Sequence, residues 1–480
     1  MKLCENYQEN IKLLDGIFRV GESFDLIKKE MQLKGGRIAL YYIDGFVKDA
    51  VMSKLMTPFL TLTSIVPPPE RGEKDIPAYR FADACVPYVE TDVTDDVDFM
   101  VQMVMSGATL LIGEGHGEYG IIIDARTYPA RQTGEPEGDK VMRGARDGFV
   151  ETLIFNTALI RRRIRNPALT VSYMSVGRSS KTDIAVCYMS DRADEKYVNN
   201  IKEKLKNINT EALTLGHASL AECLIKTHWY NPFPKIRYTE RPDSAAAQLL
   251  EGSVLIICDN SPDVMILPTS IFDFMQETND FYFPPLTGTY IRIVRHLVFF
   301  LTLFLTPTWF LLTQNPTLVP DWLTFILPND PGRLPLLAQI LIVEFMIDGL
   351  RMASMNTPDI LSNSLSVVGG LILGDFAVDI GWLIPEVILY MAFVAIANFT
   401  QASYELGYAF KFMRILLVVL TALFNFWGFG AGIFIIILLI ATNRSVGGGR
   451  GYLYPLIPFN AKALFSILFR RKKPDVGHKA

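Results

Sequence analysis

Glu344, Asp348 and Arg351 lie inside an otherwise apolar stretch, Leu334–Ala353, at spacings of four and three. A helix brings residues so spaced onto one face and leaves the opposite side to lipid. Asp348 and Arg351 are placed to pair. An ionisable group in such surroundings is a functional candidate unless it is a salt bridge that only fixes packing. A second apolar stretch, Leu361–Gly381, carries Gly370, Gly374, Ala377 and Gly381 on one helical face. Small side chains let helices approach closely in lipid. A neighbouring face carries Ser364, Val368, Leu371, Asp375 and Asp379. Were several copies arranged about an axis, their carboxylates would ring an apolar constriction of Val367, Val368 and Leu371. That is what a gated, cation-selective conduit requires. The competing arrangement puts Asp375 and Asp379 at a membrane surface, or in pairs with Arg351 or Arg414.

Nothing comparable supports covalent chemistry. There is no HExxH, no nucleophile beside a base and no carboxylate pair in a recognisable setting, and His116, His217, His228, His296 and His478 are scattered. The glycine-rich GEGHGEYG joins two apolar runs and lacks the Lys-Ser/Thr of a phosphate-binding loop, so it reads as a hairpin turn. No enzyme activity, cofactor or metal is expected. Cys4, Cys85, Cys187, Cys223 and Cys258 are widely spaced with no CxxC, which suits a reducing cytosol and buried thiols. A net charge of −4 argues against nucleic acid as a partner, which would call for a basic stripe.

The elements that must position these residues divide the chain of 480 residues in two. From Ile291 to Ala441 long apolar runs dominate, and the mean hydropathy of +0.24 comes mainly from them. His296–Gln314 carries no charged side chain after the histidine, and about 20 apolar residues suffice for a helix to cross the hydrocarbon layer. Pro307 within it is tolerable where neighbouring helices satisfy the freed carbonyl. Further spans are expected at Leu334–Ala353, Leu361–Gly381 and Ile384–Thr400. Phe412–Ala441 is too long for one untilted crossing. Gly428, Gly430 and Gly432 divide it into halves too short for two, so a kinked helix and a re-entrant pair both stay open.

Arg292 and Arg295 precede the first span, and Arg444, Arg450, Lys462 and Arg470–Lys473 follow the last. Basic flanks mark the cytoplasmic side, so both ends are expected there and the crossings should number four or six. Asn460–Phe469 reads as an amphipathic interfacial helix held on anionic lipid by the basic run. The start of the chain, MKLCENYQENIKLL, is polar and amphipathic, so no signal peptide is expected.

The first 290 residues read as α/β protein. Strands are expected at 37–45, in ATLLIGEG, YGIIIDA, LTVSYMSVG and DIAVCYMS, and at 253–258 and 264–267. Helices are expected at 46–60, 95–105, 149–164, 194–207 and 220–226. The layout is an α/β soluble region with subdomains at 1–165 and 166–285, a helical multi-span membrane domain at 286–445, and a basic tail at 446–480. Glu240-Arg241-Pro242-Asp243 is placed to open a helix with proline at its start. Arg161, Arg162 and Arg163, with Arg165, gather positive charge at a helix C-terminus, where it suits the dipole. They form either a solvated or salt-bridged face, or a contact with acidic headgroups or a partner subunit.

RGARDGFVETLIFNTALIRRRIRNP and PFPKIRYTERPDSAAAQLLEGSVLIICDNSPDVMILP closely resemble hallmark segments of the GerA/GerB/GerK A-subunit family of bacterial spore germination proteins. LSNSLSVVGGLILGDFAV continues the likeness into the apolar third. Arg161, Arg162, Arg163, Glu240, Arg241, Pro242 and Asp243 fall inside these motifs. Within the family, PEVILYMAFVAIANFTQASYELGYAFKFMRILL and the ending YLYPLIPFN look most like the stage V sporulation AF branch. The resemblance implies a spore inner-membrane protein with a bipartite cytosolic domain, assembling with itself into an ion channel that conducts monovalent cations during germination. It further implies an amplifying role beside a small membrane partner protein, among other germination proteins and membrane lipids. The alternatives are the A subunit of a nutrient germinant receptor, a membrane-tethered scaffold, and a secondary transporter. A transporter would want broken helices and an internal repeat, and no repeat between halves is visible.

Overall fold

A computed structural model describes residues 2–68, 76–128, 144–225, 229–328, 332–356, 376–448 and 451–470. They fall into two compact units. One comprises Met1–Lys226, Ile236–Thr269 and Val446–Gly449; the other comprises Thr227–Lys235, Ser270–Ser445 and Arg450–Ala480.

In the first unit one order of elements occurs twice. The first set is α1 (Tyr7–Phe18), β1 (Leu26–Leu33), β2 (Gly36–Ile43), α2 (Asp49–Phe59), α3 (Pro77–Cys85), β3 (Thr91–Thr94), α4 (Val97–Met105), β4 (Thr109–Gly113) and β5 (Gly120–Ile123). The second is α5 (Leu153–Arg163), β6 (Leu169–Val176), β7 (Thr182–Met189), α6 (Glu195–Lys206), α7 (His217–Leu224), β8 (Arg237–Thr239), α8 (Pro242–Leu250), β9 (Val254–Cys258) and β10 (Val264–Leu267). Each set builds an antiparallel five-stranded sheet, ordered β1-β2-β4-β5-β3 and β6-β7-β9-β10-β8. The registers correspond as well. Ile38 faces Gly113 and Leu40 faces Leu111 in one sheet, as Ile184 faces Cys258 and Val186 faces Ile256 in the other.

The same physical device ends the helix before β4 and before β9. Gly107 and Gly252 follow α4 and α8 by two residues, with φ of +101° and +92°. Glycine adopts that conformation without a Cβ penalty. Gly107 N–H donates to Val104 O and Ala108 N–H to Met103 O; Gly252 and Ser253 repeat the pattern on Leu249 O and Gln248 O. Both helices therefore stop in the same hydrogen-bonded reversal, and buried runs then enter the sheets. The expected strands and helices of this region are present. α1, α3, β1 and the short β3 and β8 are additions to them.

α5 belongs with the second sheet. Its Leu159 and Ile160 are buried with Cys187, Leu255 and Ile257. Most of the buried apolar residues of α5 thus join the core of the second sheet, while Ala158 packs in the core of the first. The expected basic tail also begins inside this unit: Tyr197 Oη donates to Val446 O (2.7 Å) and Asn200 Nδ2 to Gly447 O (2.6 Å).

The second unit is helical. After α9 (Asn279–Tyr282) come α10 (Pro285–Gln314), α11 (Leu336–Asn356), α12 (Pro385–Phe399), α13 (Tyr404–Thr442) and α14 (Ala461–Leu468). Two of these, α10 and α13, are long and apolar enough to cross a membrane. α13 is broken at Asn425 (φ 52°, ψ −130°). The legs 404–424 and 426–442 are about 31 and 26 Å long at the helical rise, and they fold back on one another. A Cβ on Gly428 would sit 1.9 Å from Leu420 O, and one on Gly432 would sit 2.6 Å from Leu417 Cδ2. The glycines therefore permit close approach of the legs, and the break itself falls upstream of them. At the tip, Asn425 and the end of α10 exchange amide bonds: Asn315 Nδ2 to Asn425 Oδ1 (2.6 Å) and Asn425 Nδ2 to Asn315 Oδ1 (3.1 Å).

Candidate functional site

A buried ionic cluster joins α10, α11 and α13. Glu344 on α11 is 4% exposed. Arg414 Nε donates to Glu344 Oε1 (2.8 Å), and Arg414 Nη2 makes a second contact with the same oxygen. Lys411 Nζ lies 3.4 Å from Glu344 Oε2 and also pairs with Asp348. Arg414 Nη1 donates to the backbone oxygen of Thr302 on α10 (2.9 Å). The helical period explains the assembly, since residues three or four apart share a face. Glu344 and Asp348 present two negative charges to Lys411 and Arg414. The cluster is formally neutral, which is the condition for charges to stay buried among apolar side chains.

Asp348 and Glu344 thus stand on one face, as expected, but both are answered from α13. Arg351, expected beside Asp348, lies over the rings of Tyr404 and Tyr408, at 5.8 and 5.2 Å from their centroids. Lys411 was missed because it precedes the apolar run that begins at Phe412. The spacing Lys411-x-x-Arg414, complementary to Glu344-x-x-x-Asp348, was the available signal.

Ser364, Val367, Val368, Gly370, Leu371, Gly374 and Asp375 lie outside the described residues. Ala377 is partly buried beside a core that includes Trp309 and Ile384. Asp379 is exposed at the end of a single turn, Ala377–Asp379. Gly381, expected on the helical packing face, is instead at φ +75° in the bend before α12, where its carbonyl accepts from Arg333 N–H (3.2 Å). Its lack of a Cβ serves the turn. Arg414, one expected partner for Asp375 or Asp379, bonds to Glu344.

The arginine run is structural. Arg161, 1% exposed, bonds Asp25 through Nε (2.8 Å) and Nη2 (3.0 Å), and also donates to Leu169 O (2.9 Å) and Asn166 O (3.1 Å). Arg162 stacks on Tyr128 at 4.8 Å, and Arg163 grips Asp147 with two contacts of 2.7 Å. Of the two readings of this run, the salt-bridged face is the one present. Arg241, fully buried, pairs with Asp243 (2.7 Å) and donates to Ala145 O (3.0 Å), and Glu240 O accepts from Phe149 N–H (2.8 Å). Pro242 opens α8, as expected. These motif residues hold the extended segment ahead of α5 against the second subdomain.

At the base of α10, Arg295 pairs with Asp280 and with Glu277 (2.5 Å), while Arg292 Nη1 donates to Ser466 O (2.9 Å) at the end of α14. His116 Nε2 bonds Ile65 O (3.0 Å), and burial lowers the imidazole pKa to about 4. The cysteines are free; Cys187 and Cys258 are buried, the latter pushed up to about 12 by burial, whereas Cys223 is exposed, against expectation. No cluster of metal-ligating side chains occurs among the described residues.

A duplicated α/β unit followed by apolar helices knit by buried ion pairs defines the class. The chain matches the Bacillus/Clostridium GerA spore germination protein family over residues 14–479, and it belongs to that family. It is 38% identical over 474 residues to stage V sporulation protein AF of Bacillus subtilis (strain 168), covering 99% of this chain and 94% of that protein. Spore germination protein KA of the same organism is 29% identical over 458 residues, covering 94% of this chain and 82% of that protein. Spore germination protein B1, also of that organism, is 26% identical over 465 residues, covering 95% and 93%. The N-terminal domain of the A subunit of the Bacillus megaterium spore germinant receptor GerK3 aligns with a TM-score of 0.41 at 25% identity, over 56% of this chain and 96% of that one.

Proposed function

We propose that this chain is the membrane-embedded, conducting subunit of a homo-oligomeric channel that passes monovalent cations during spore germination. In this reading it crosses the spore inner membrane several times, with both ends cytoplasmic, and acts with a small membrane partner protein. The observation that carries it is the distribution of charge. Lys411 and Arg414 are held by Glu344 and Asp348, while Asp379 is exposed and in no ion pair among the described residues. A carboxylate left free beside a glycine-rich apolar segment suits the mouth of a cation path. The likeness to stage V sporulation protein AF supports a germination role. A transporter would place helix breaks at mid-bilayer, whereas the Asn425 break is a hairpin tip. The test is ion efflux from liposomes holding the assembled protein. Asp375→Asn should lower cation flux, and Val368→Ala should give a leak without stimulus. Unchanged flux in both variants would sink the conduit.

A further inference from the structure

We propose that Trp229 and Tyr230 are a lipid anchor, their rings seated at the headgroup boundary of the cytoplasmic leaflet, a reading that rests on α13 crossing the bilayer as proposed above. The two rings stand out from the connection between α7 and β8, Trp229 at 96% exposure and Tyr230 at 55%, and meet edge to face at 6.1 Å. Their stretch, Thr227–Lys235, belongs to the helical unit. Asn231 fastens it there. Its Nδ2 donates to Leu439 O (3.3 Å), among the last carbonyls of α13, which no helical amide can satisfy. Its Oδ1 accepts from Phe233 N–H (3.1 Å), closing a turn. Phe233 is buried with Leu406, Phe410 and Ile436, and its ring meets that of Phe410 edge-on at 6.1 Å. Pro232 and Pro234 on either side of it fix the backbone. The turn is therefore wedged against both legs of α13.

Depth follows from the helix. Leu439 is about 21 Å down its leg from the break at Asn425, in a hydrocarbon layer about 30 Å thick. The exchanged amides of Asn315 and Asn425 suit the opposite boundary, where water can reach them. Two further residues of chain reach up to about 7 Å, which carries the rings to the cytoplasmic edge of the layer. Tryptophan and tyrosine collect at such an edge because each joins an apolar ring to a polar tip. The occupant is lipid rather than another protein because the exposed side chains on the same stretch of α13, Phe434, Ile437 and Leu438, are apolar too. The anchor continues the surface that this leg turns to the acyl chains.

The test is tryptophan fluorescence of the full-length protein in lipid nanodiscs, with Trp229→Phe subtracted from the wild type to isolate one ring. Bromines high on the acyl chains should quench the Trp229 component strongly, bromines near the chain ends weakly, and iodide in the water little. Trp229→Phe replaces an exposed ring and should fold as the wild type does; Trp229→Tyr gives the same subtraction if it does not. Full quenching by iodide with none by brominated lipid puts the ring in water and overturns the anchor. Protection from both quenchers means that another protein covers the ring, which overturns the lipid assignment as surely. Trp427, 85% exposed just past the Asn425 break, separates this anchor from the membrane reading beneath it. If the Trp427→Phe difference signal responds to brominated lipid while that of Trp229 does not, the anchor alone fails. If neither responds, the membrane placement of α13 fails with it.

Discussion

Arg161→Met should unfold the first unit far more readily than any other change in the arginine run. Arg161 and Asp25 side chains are each 2% exposed, joined by contacts of 2.8 and 3.0 Å. Removing the guanidinium strands the carboxylate. Among the described residues only the Ser23 hydroxyl (2.6 Å) still donates to it. The Leu169 and Asn166 carbonyls lose a donor as well. Breaking a buried pair from one side costs about 3–5 kcal/mol. With a shift of about 2–4 °C per kcal/mol for a domain of this size, the melting point should fall by about 6–20 °C. The double variant Asp25→Leu with Arg161→Met should recover most of that loss, because an apolar pair strands no charge. Circular dichroism melts of the four proteins in the cycle give the coupling directly. A fall of less than about 3 °C in Arg161→Met, or a double variant worse than either single one, would refute the buried-pair argument. It would return the run to the alternative of a surface contact with headgroups or a partner.

Two further outcomes follow from the same physics. His116 holds its proton only below about pH 4 when folded, against 6.5 ordinarily, because burial disfavours the cation. The unfolded chain then binds the proton first, so stability is complete above pH 6.5 and declines toward pH 4, by about 3 kcal/mol in total. Melts across that window should fall more steeply for the wild type than for His116→Gln, and parallel curves would contradict the assignment. In the helical unit, Arg414→Leu should lower the yield of monodisperse extracted protein and its melting point, at a cost below the roughly 3–5 kcal/mol of a fully broken buried pair, because Lys411 (3.4 Å) still faces Glu344. Glu344→Leu added to it should restore both, as size-exclusion profiles and melts would show.

Much of the fold was legible because buried strands announce themselves as apolar runs. β2, β4, β5, β7, β9 and β10 all lie where the pattern put them. β1, LIKKEMQL, did not stand out, since its central residues are charged and exposed along a sheet edge. The duplication was harder to see. IALYYI in β2 and IAVCYM in β7 share a burial pattern more than an identity, and the helices between the strands differ in length. Equal topology therefore survives where letter-by-letter repetition does not.

Charged residues misled for a different reason. A sequence states that Arg161 is cationic, but its partner Asp25 stands far upstream, and only the packing of β6 beside residues 23–25 brings them together. The same holds for Arg414, for which sign alone allows Glu344, Asp348, Asp375 or Asp379 as a match. Spacing decides which residues share a helical face; it does not decide which faces meet. That choice falls to the close approach of α10 and α13. There Arg414 reaches both Glu344 and the Thr302 carbonyl. The glycines of α13 make the point from the other side. They looked like helix breakers, yet Asn425 takes the non-helical torsion while Gly428 and Gly432 remain helical and admit the opposite leg. Within α13, Gly428 and Gly432 therefore mark a contact rather than a bend.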